Sequence, residues 1–285
     1  MRVIASPTEM RAAAEDFRRH GFTLALVPTM GYFHEGHLSL MRRGRAECER
    51  LVVSLFVNPA QFGPQEDLAR YPRDWERDRR LAEAEGVDVL FAPAAAEMYP
   101  EGYATYVEVE RLGERLCGAR RPGHFRGVAT VVAKLFQLCL PTTAYFGRKD
   151  YQQALVIRRM AADLNAGVTI RVLPIIREAD GLAMSSRNAY LSPAERRQAT
   201  CLYRALVLAQ GLFAQGERRP EIYSREMERL ISAEPAARVD YVDLLDGEEL
   251  TPVDAAAEGT LAAVAAFVGE TRLIDNTLLG RDDPA

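Results

Sequence analysis

The sequence predicts an α/β protein: a doubly wound, Rossmann-like parallel sheet over residues 1–177, then a smaller α+β domain over residues 178–285. Three observations carry this expectation. Up to residue 177, short apolar runs alternate with helical stretches, the order that lays parallel strands side by side under helices. One run, Leu51–Val57, is almost continuously apolar and rich in β-branched residues, as a strand covered on both faces should be. Beyond residue 177 the alternation stops and helices bunch before strands. The 285 residues suffice for one large domain or two ordinary ones.

Taken in order, Ser6-Pro7 before Thr8–His20 reads as an N-cap with Pro in the first turn of a helix. Phe22–Val27 is a short apolar strand stopped by Pro28. His37–Cys48 is a helix and Leu51–Val57 the next strand. Asp74–Glu85 is a charged helix ended by Gly86, and Val87–Phe91 is a strand. Gly127–Leu140 is an apolar helix closed by Pro141. Thr143–Phe146 is a strand, Tyr151–Asn165 a helix with Gly167 behind it, and Thr169–Ile176 a strand. In the second domain Ser192–Gln210 and Glu221–Ala233 read as helices, Val239–Leu245 and Leu261–Val268 as strands. The polar junction Arg177–Tyr190 belongs to the functional site by its motif content.

Composition removes several classes. Apolar residues make up 48% and charged residues 27%, as in an ordinary globular chain. Asp and Glu outnumber Lys and Arg, 40 to 36, giving a net charge of −4. Such a chain lacks the overall basic field of a nucleic-acid binder, though a local basic pocket is still open to it. Its longest apolar runs fall far short of the roughly 20 residues that span a bilayer. No long apolar run follows the first Arg, so a secretory signal is not expected. Cys48, Cys117, Cys139 and Cys201 are scattered, which reads as reduced thiols in a cytoplasmic protein.

The chemistry lies in the joins. Pro28-Thr-Met-Gly-Tyr-Phe-His-Glu-Gly-His37 follows the first apolar strand and opens a helix. Doubly wound folds place ligands at such carboxyl ends. Gly31 and Gly36 allow a tight turn and close backbone approach. His34 and His37, three apart, share a face if both are helical. Two imidazoles beside a helix N-terminus suit a triphosphate. The spacing is not that of H-E-x-x-H, a P-loop or G-x-G-x-x-G.

Past the next strand, Phe56-Val-Asn-Pro-Ala-Gln-Phe62 sets the Asn58 and Gln61 amides beside an apolar wall. An amide offers donor and acceptor together, which suits a hydroxy acid. From spacing alone, an ordinary Asn-Pro turn outweighs a binding role. Arg120-Arg-Pro-Gly-His-Phe-Arg126 reads as a solvated loop or a site loop containing His124. In Phe146-Gly-Arg-Lys-Asp-Tyr-Gln-Gln153, Gly147 would relieve crowding at the turn and Lys149 could neutralise phosphate. Asp150 there either caps the helix or binds ribose hydroxyls. Met184-Ser-Ser-Arg-Asn188 brings two hydroxyls and a guanidinium onto one loop, the groups of a phosphate clamp.

The H-x-G-H string resembles the signature of the nucleotidyltransferase superfamily. Its longer form, P-T-M-G-x-x-H-x-G-H, resembles that of the pantothenate synthetase (pantoate–β-alanine ligase) family. Phe56–Phe62, Tyr71-Pro-Arg73, the Arg-Pro-Gly-His-Phe stretch, Phe146–Gln153 and Met184–Asn188 resemble that family's further motifs in the same order. The resemblance runs from Val27 to about Leu191, with Phe33 where Leu is usual. No motif is recognised after residue 195.

The resemblance implies ATP-dependent condensation of pantoate with β-alanine through a pantoyl adenylate. It implies an ATP site of Met30, Gly31, His34, His37, Gly147, Lys149, Asp150, Ile176 through its backbone, Met184, Ser185, Ser186 and Arg187. His34, His37 and Lys149 take the catalytic roles, Gln61 and Gln153 hold substrate, and Asn58 and His124 join them. ATP and Mg²⁺ are the expected cofactors, and Asp78 is put forward for magnesium with no motif behind it. The second domain is the expected lid, and the expected assembly is a cytoplasmic homodimer that engages neither nucleic acid nor membrane. Two rivals stand beside this reading: a nucleotidyltransferase acting on a phosphate acceptor, which would need extra cations, and a nucleotide-sensing protein that binds ATP without turnover.

Overall fold

In the computed structural model, which describes residues 1–64 and 66–281, the chain forms two compact units, Met1–Pro174 and Ile175–Ala285. The first is built on the strands β1 (Arg2–Ile4), β2 (Leu24–Thr29), β3 (Arg50–Leu55), β4 (Val89–Phe91), β5 (Thr143–Gly147) and β6 (Thr169–Leu173). They pair in the order β1-β4-β3-β2-β5-β6, every neighbouring pair parallel. The helices are α1 (Pro7–Arg19), α2 (Glu35–Glu47), α3 (Trp75–Ala84), the short α4 (Ala95–Met98) and α5 (Cys117–Arg120), α6 (His124–Cys139) and α7 (Tyr151–Asp163). Leu24–Val27 and Leu51–Val53 are almost wholly buried, which is why their apolar runs show no polar alternation.

This strand order creates the switch point at which such sheets bind ligands. From β2 the chain winds outward to β3 and β4, then returns across β2 to β5 and β6. The carboxyl ends of β2 and β5 therefore diverge side by side, and the loops leaving β2, β3 and β5 carry three of the motifs.

The second unit holds an antiparallel sheet of β7 (Ala237–Leu245), β8 (Leu261–Val268) and β9 (Thr271–Leu278), in that order. With it go α8 (Pro193–Gln198), α9 (Cys201–Ala214) and α10 (Pro220–Ser232). Its core includes Leu202, Leu206, Tyr223, Met227, Ile231 and Val264.

Several elements differ from the sequence expectation for physical reasons. β1 has three residues, too few to show a period. β9 escapes the sequence reading because Asp275, Asn276 and Thr277 interrupt its apolar pattern, although all three are buried. β2 runs through Pro28 to Thr29 because Pro28 stays in register with Ser54 of β3, while the β2–β5 ladder ends at Leu26 with Ala144, before the residue that has no N–H to donate. The single helix expected over Ser192–Gln210 is two, parted at Ala199-Thr200, where the Thr200 hydroxyl donates to the Arg197 carbonyl at 2.8 Å. α2 begins at Glu35, so His34 lies outside it. All four cysteines are free and buried.

Candidate active site

The loop from β2 to α2 is held from both sides. Gly31 has φ +85°, and a Cβ there would stand 3.0 Å from Asp78 Oδ2 and 3.1 Å from Leu55 Cδ2. The Thr29 hydroxyl donates to Ser54 O at 2.6 Å and accepts the Gly31 N–H at 3.3 Å. The two imidazoles then meet in a way different from the shared helical face expected. His34 is the N-cap residue and His37 the third residue of the helix, and together they form a capping box. His34 Nδ1 accepts the Gly36 N–H at 3.2 Å, and His37 Nδ1 accepts the His34 N–H at 3.3 Å. The rings lie 4.1 Å apart between centroids. With Nδ1 accepting in each, the neutral tautomer carries its proton on Nε2. Burial, then the neighbouring His34, then Lys149, hold the His37 pKa well below its usual 6.5. His37 is thus a neutral hydrogen-bond donor at neutral pH. Gly36 matters because a Cβ there would stand 2.9 Å from the His34 ring.

After β3, Gln61 is buried, and its amide is set by its neighbours. Asn58 Nδ2 donates to Gln61 Oε1 at 3.0 Å, and Gln61 Nε2 donates to Met30 Sδ at 3.2 Å. That use leaves Gln61 a second amide proton and a second Oε1 lone pair, one donor and one acceptor for a ligand. Asn58, expected beside substrate, is fully engaged within the protein. Nδ2 also donates to Gly127 O at 3.1 Å, while Oδ1 accepts from Tyr99 Oη at 2.7 Å and from Ala60 N at 3.3 Å. It positions Gln61. His124 is engaged in the same way: Nδ1 lies 2.9 Å from Gln61 O, and Nε2 lies 3.0 Å from Arg121 Nη1. Arg121 in turn pairs with Glu66 at 2.5 Å.

After β5, a 3-10 turn over Arg148–Asp150 leads into α7. The crowding expected at Gly147 is absent: its φ is −85° and a Cβ would meet nothing within 4 Å. Its missing side chain keeps that spot open. Asp150 is the N-cap residue of α7, but its side chain makes no cap hydrogen bond, so the capping alternative fails. Its carboxylate stands 3.6 Å from Lys149 Nζ. The two adjacent glutamines divide their roles by burial. Gln152 is buried and spent on Cys117 N, Leu112 O and Arg115 O. Gln153 is half-buried, and its side chain makes no hydrogen bond among the described residues.

The remaining motif residues belong to the second unit. Ile176 O accepts the Met184 N–H at 2.9 Å, so one lone pair of the carbonyl assigned to adenine is already engaged. Ser185 caps a 3-10 turn over Ser186–Tyr190, accepting the Arg187 N–H at 3.3 Å. Asn188 Nδ2 ties the segment to Glu178 Oε1 at 3.0 Å and Ala183 O at 3.2 Å. Arg177 anchors the preceding hairpin through a bidentate pair with buried Asp275, at 2.6 and 3.1 Å.

Asp78 does not fit magnesium. Its buried carboxylate accepts the Tyr32 N–H at 2.6 Å and the Phe33 N–H at 2.7 Å. Among the described residues no group of three or more His, Cys, Asp or Glu side chains is arranged to hold a metal. Sequence reasoning gave no role to Tyr99, which lies outside every motif, or to Arg121 and Gly127, which lie within the Arg-Pro-Gly-His-Phe stretch and the residues just after it but carry nothing there that separates them from their neighbours.

Fold and site together define a class: a nucleotide-using enzyme of the doubly wound α/β type, with paired imidazole donors and an amide clamp at the switch point. The family model for pantoate-beta-alanine ligase matches residues 2–278. The chain belongs to this family, and its activity is the ATP-dependent ligation of pantoate to β-alanine in pantothenate biosynthesis. It is 58% identical to the pantothenate synthetase of Geobacter sulfurreducens over 282 residues, covering 99% of this chain and 100% of that one. The Moorella thermoacetica pantothenate synthetase is 56% identical over 283 residues, 99% of each chain. The crystal structure of pantothenate synthetase from Thermus thermophilus superposes with a TM-score of 0.92 at 50% identity, covering 98% of this chain and 99% of that one. The pantoate-beta-alanine ligase of Francisella tularensis, complexed with beta-gamma ATP and beta-alanine, superposes with a TM-score of 0.84 at 30% identity over the whole of both chains. No helix among the described residues is long and apolar enough to cross a membrane.

Proposed function

We propose that the ligation runs through an acyl adenylate formed at the carboxyl edge of the parallel sheet. The pantoate carboxylate attacks the α-phosphorus of ATP and expels pyrophosphate. The unprotonated amine of β-alanine then attacks the acyl carbon, forming the amide and releasing AMP. The observation that carries this reading is the imidazole pair, two Nε2 donors fixed by backbone hydrogen bonds. Preorganised donors of this kind stabilise charge that grows on phosphate oxygens in the transition state. Lys149 adds a point charge, and Met30 and Gly31 line the same turn. We assign Gly147 and Asp150 to the nucleoside end, with Asp150 on the ribose. Ile176, Met184, Ser185, Ser186 and Arg187 are assigned to ATP, and the second unit to excluding water from the adenylate. Gln61 and Gln153 hold pantoate so that its carboxylate stands in line.

Magnesium is proposed to arrive with the nucleotide phosphates, since the described residues offer no dedicated cage. The enzyme is further proposed to be a cytoplasmic homodimer, and light scattering reads its mass.

The bond that breaks tests the route. Pantoate carrying ¹⁸O in its carboxylate is incubated with ATP and β-alanine, and the products are weighed by mass spectrometry. Attack on the α-phosphorus followed by acyl C–O cleavage leaves one labelled oxygen in AMP. Label in inorganic phosphate, or in neither product, overturns the adenylate.

The amide clamp has its own test. Gln61→Ala should weaken pantoate binding by about ten-fold or more, the cost of leaving buried polar partners unmet. ATP binding should move less than about two-fold on the same scale. Separate calorimetric titrations of the two ligands check this, and a defect confined to ATP would move Gln61 into the nucleotide site.

A further inference from the structure

The turn between β2 and α2 is strained where its glycine ends. Gly31 and Tyr32 both lie in the left-handed region, with φ +85° and +53°. Glycine adopts it freely, whereas a residue with a bulky Cβ is disfavoured there. Strain of this kind persists only where the surroundings impose it, and it gathers at functional sites. The imposing group is Asp78, reaching from α3, with its side chain 1% exposed and its oxygens 2.6 and 2.7 Å from the amides of Tyr32 and Phe33. These are short, charge-assisted bonds. Arg77 Nη1, 4.0 Å from Asp78 Oδ1, is the nearby cation, and the Arg77 guanidinium sits 5.5 Å from the Tyr32 ring centroid. Phe33 is fully buried, with its ring 5.7 Å from His37, and the next residue is His34. A carboxylate pointed at a triphosphate site would repel the ligand; here both oxygens are turned onto backbone instead.

We propose that Asp78 is a positioning residue: by holding the Tyr32 and Phe33 amides it imposes the strained turn that aims His34 and His37. This rests on the assignment of those imidazoles to the phosphates. Asp78 touches no reacting atom, and its effect passes through the conformation of residue 32.

Tyr32→Gly supplies the discriminating experiment, because it removes the need for the carboxylate by removing the Cβ. Pyrophosphate exchange and pantoate KM are measured for Asp78→Asn, Tyr32→Gly, the double variant and His37→Ala. Asp78→Asn turns one acceptor into an NH₂ facing an amide N–H. It should lose about ten- to a hundred-fold in kcat, the scale of a misplaced catalytic group, while pantoate KM moves less than about two-fold. Adding Tyr32→Gly should recover most of that loss relative to Tyr32→Gly alone. If Asp78→Asn does not fold, the double variant still decides, since it should fold and turn over. An unimpaired Asp78→Asn, or a double variant with no recovery, overturns the proposal. So does a ten-fold rise in the magnesium needed for half-maximal rate, which would make Asp78 a metal ligand. Normal exchange by His37→Ala removes the parent reading and the proposal with it; impaired His37→Ala beside normal Asp78→Asn removes the proposal alone.

Discussion

His34→Asn and His37→Ala should each lower pyrophosphate exchange by about 10²–10³, the loss expected when one preorganised transition-state donor is removed. Asn is chosen at residue 34 because that side chain also caps α2 through the Gly36 N–H. Asn is among the best N-caps, so this variant keeps the helix start and loses the Nε2 donor. With the rings 4.1 Å apart and His37 Nδ1 bonded to the His34 amide, the two sites act as a unit. The double variant should therefore fall well short of the product of the single losses. The pH profile follows from the direction of the His37 shift. Its folded pKa lies well below 6.5, so acidification through 6.5 does not protonate it. The exchange rate should not fall at that point on its account, and should do so only at distinctly lower pH. Stopped assays from pH 8 to pH 5 check both claims. Near wild-type exchange in either single variant would remove the imidazoles from the chemistry.

The sequence carries the layout of the first unit because its signals are local. Buried parallel strands give apolar runs, and the glycines and histidines of residues 28–37 stand at one join. It does not separate residues that touch ligand from residues that hold those residues. Asn58 and Gln61 both offer an amide on one short turn, but only three-dimensional contacts reveal that Gly127, Tyr99 and Ala60 use up Asn58. Gln152 and Gln153 are neighbours of identical chemistry, divided by which face of α7 is buried. Asp78 reads as an acid seeking a cation because its partners, the Tyr32 and Phe33 amides, lie more than 40 residues away in sequence. Backbone groups are invisible to motif reasoning, since every residue has them. β9 is lost for a related reason: buried polar side chains break the alternation that marks a strand.

Gly127→Ala should cost about 10² in kcat/KM for pantoate without abolishing ATP binding, although residue 127 need touch no ligand. In sequence it follows the Arg-Pro-Gly-His-Phe stretch and starts an apolar helical stretch. In the fold it lies in the first turns of α6, where that helix meets the Asn58–Gln61 turn. A Cβ at this position would overlap the Ala60 carbonyl and lie 2.7 Å from Gln61 Cα. Those are backbone atoms, so no rotamer change relieves the clash, and either the helix or the turn must shift. The turn is the softer side: it is a three-residue 3-10 element, whereas α6 runs from His124 to Cys139 and is mostly buried. The shift would also stretch the bond from Asn58 Nδ2 to Gly127 O, and through Asn58 the one to Gln61 Oε1. Displacement of a positioning group by about 1 Å is enough for a loss of about 10²-fold. The overpacking itself should lower stability by about 1–3 kcal/mol, seen as a reduced melting temperature. Adding pantoate should raise the melting temperature less than it does for the wild-type chain, because the stabilisation a ligand gives grows with the logarithm of its concentration over Kd. Thermal melts with and without each ligand, beside steady-state kinetics in pantoate, measure both effects. Unchanged kcat/KM in a folded Gly127→Ala protein would mean that the turn tolerates the methyl group, and that the α6 contact does not set the position of Gln61.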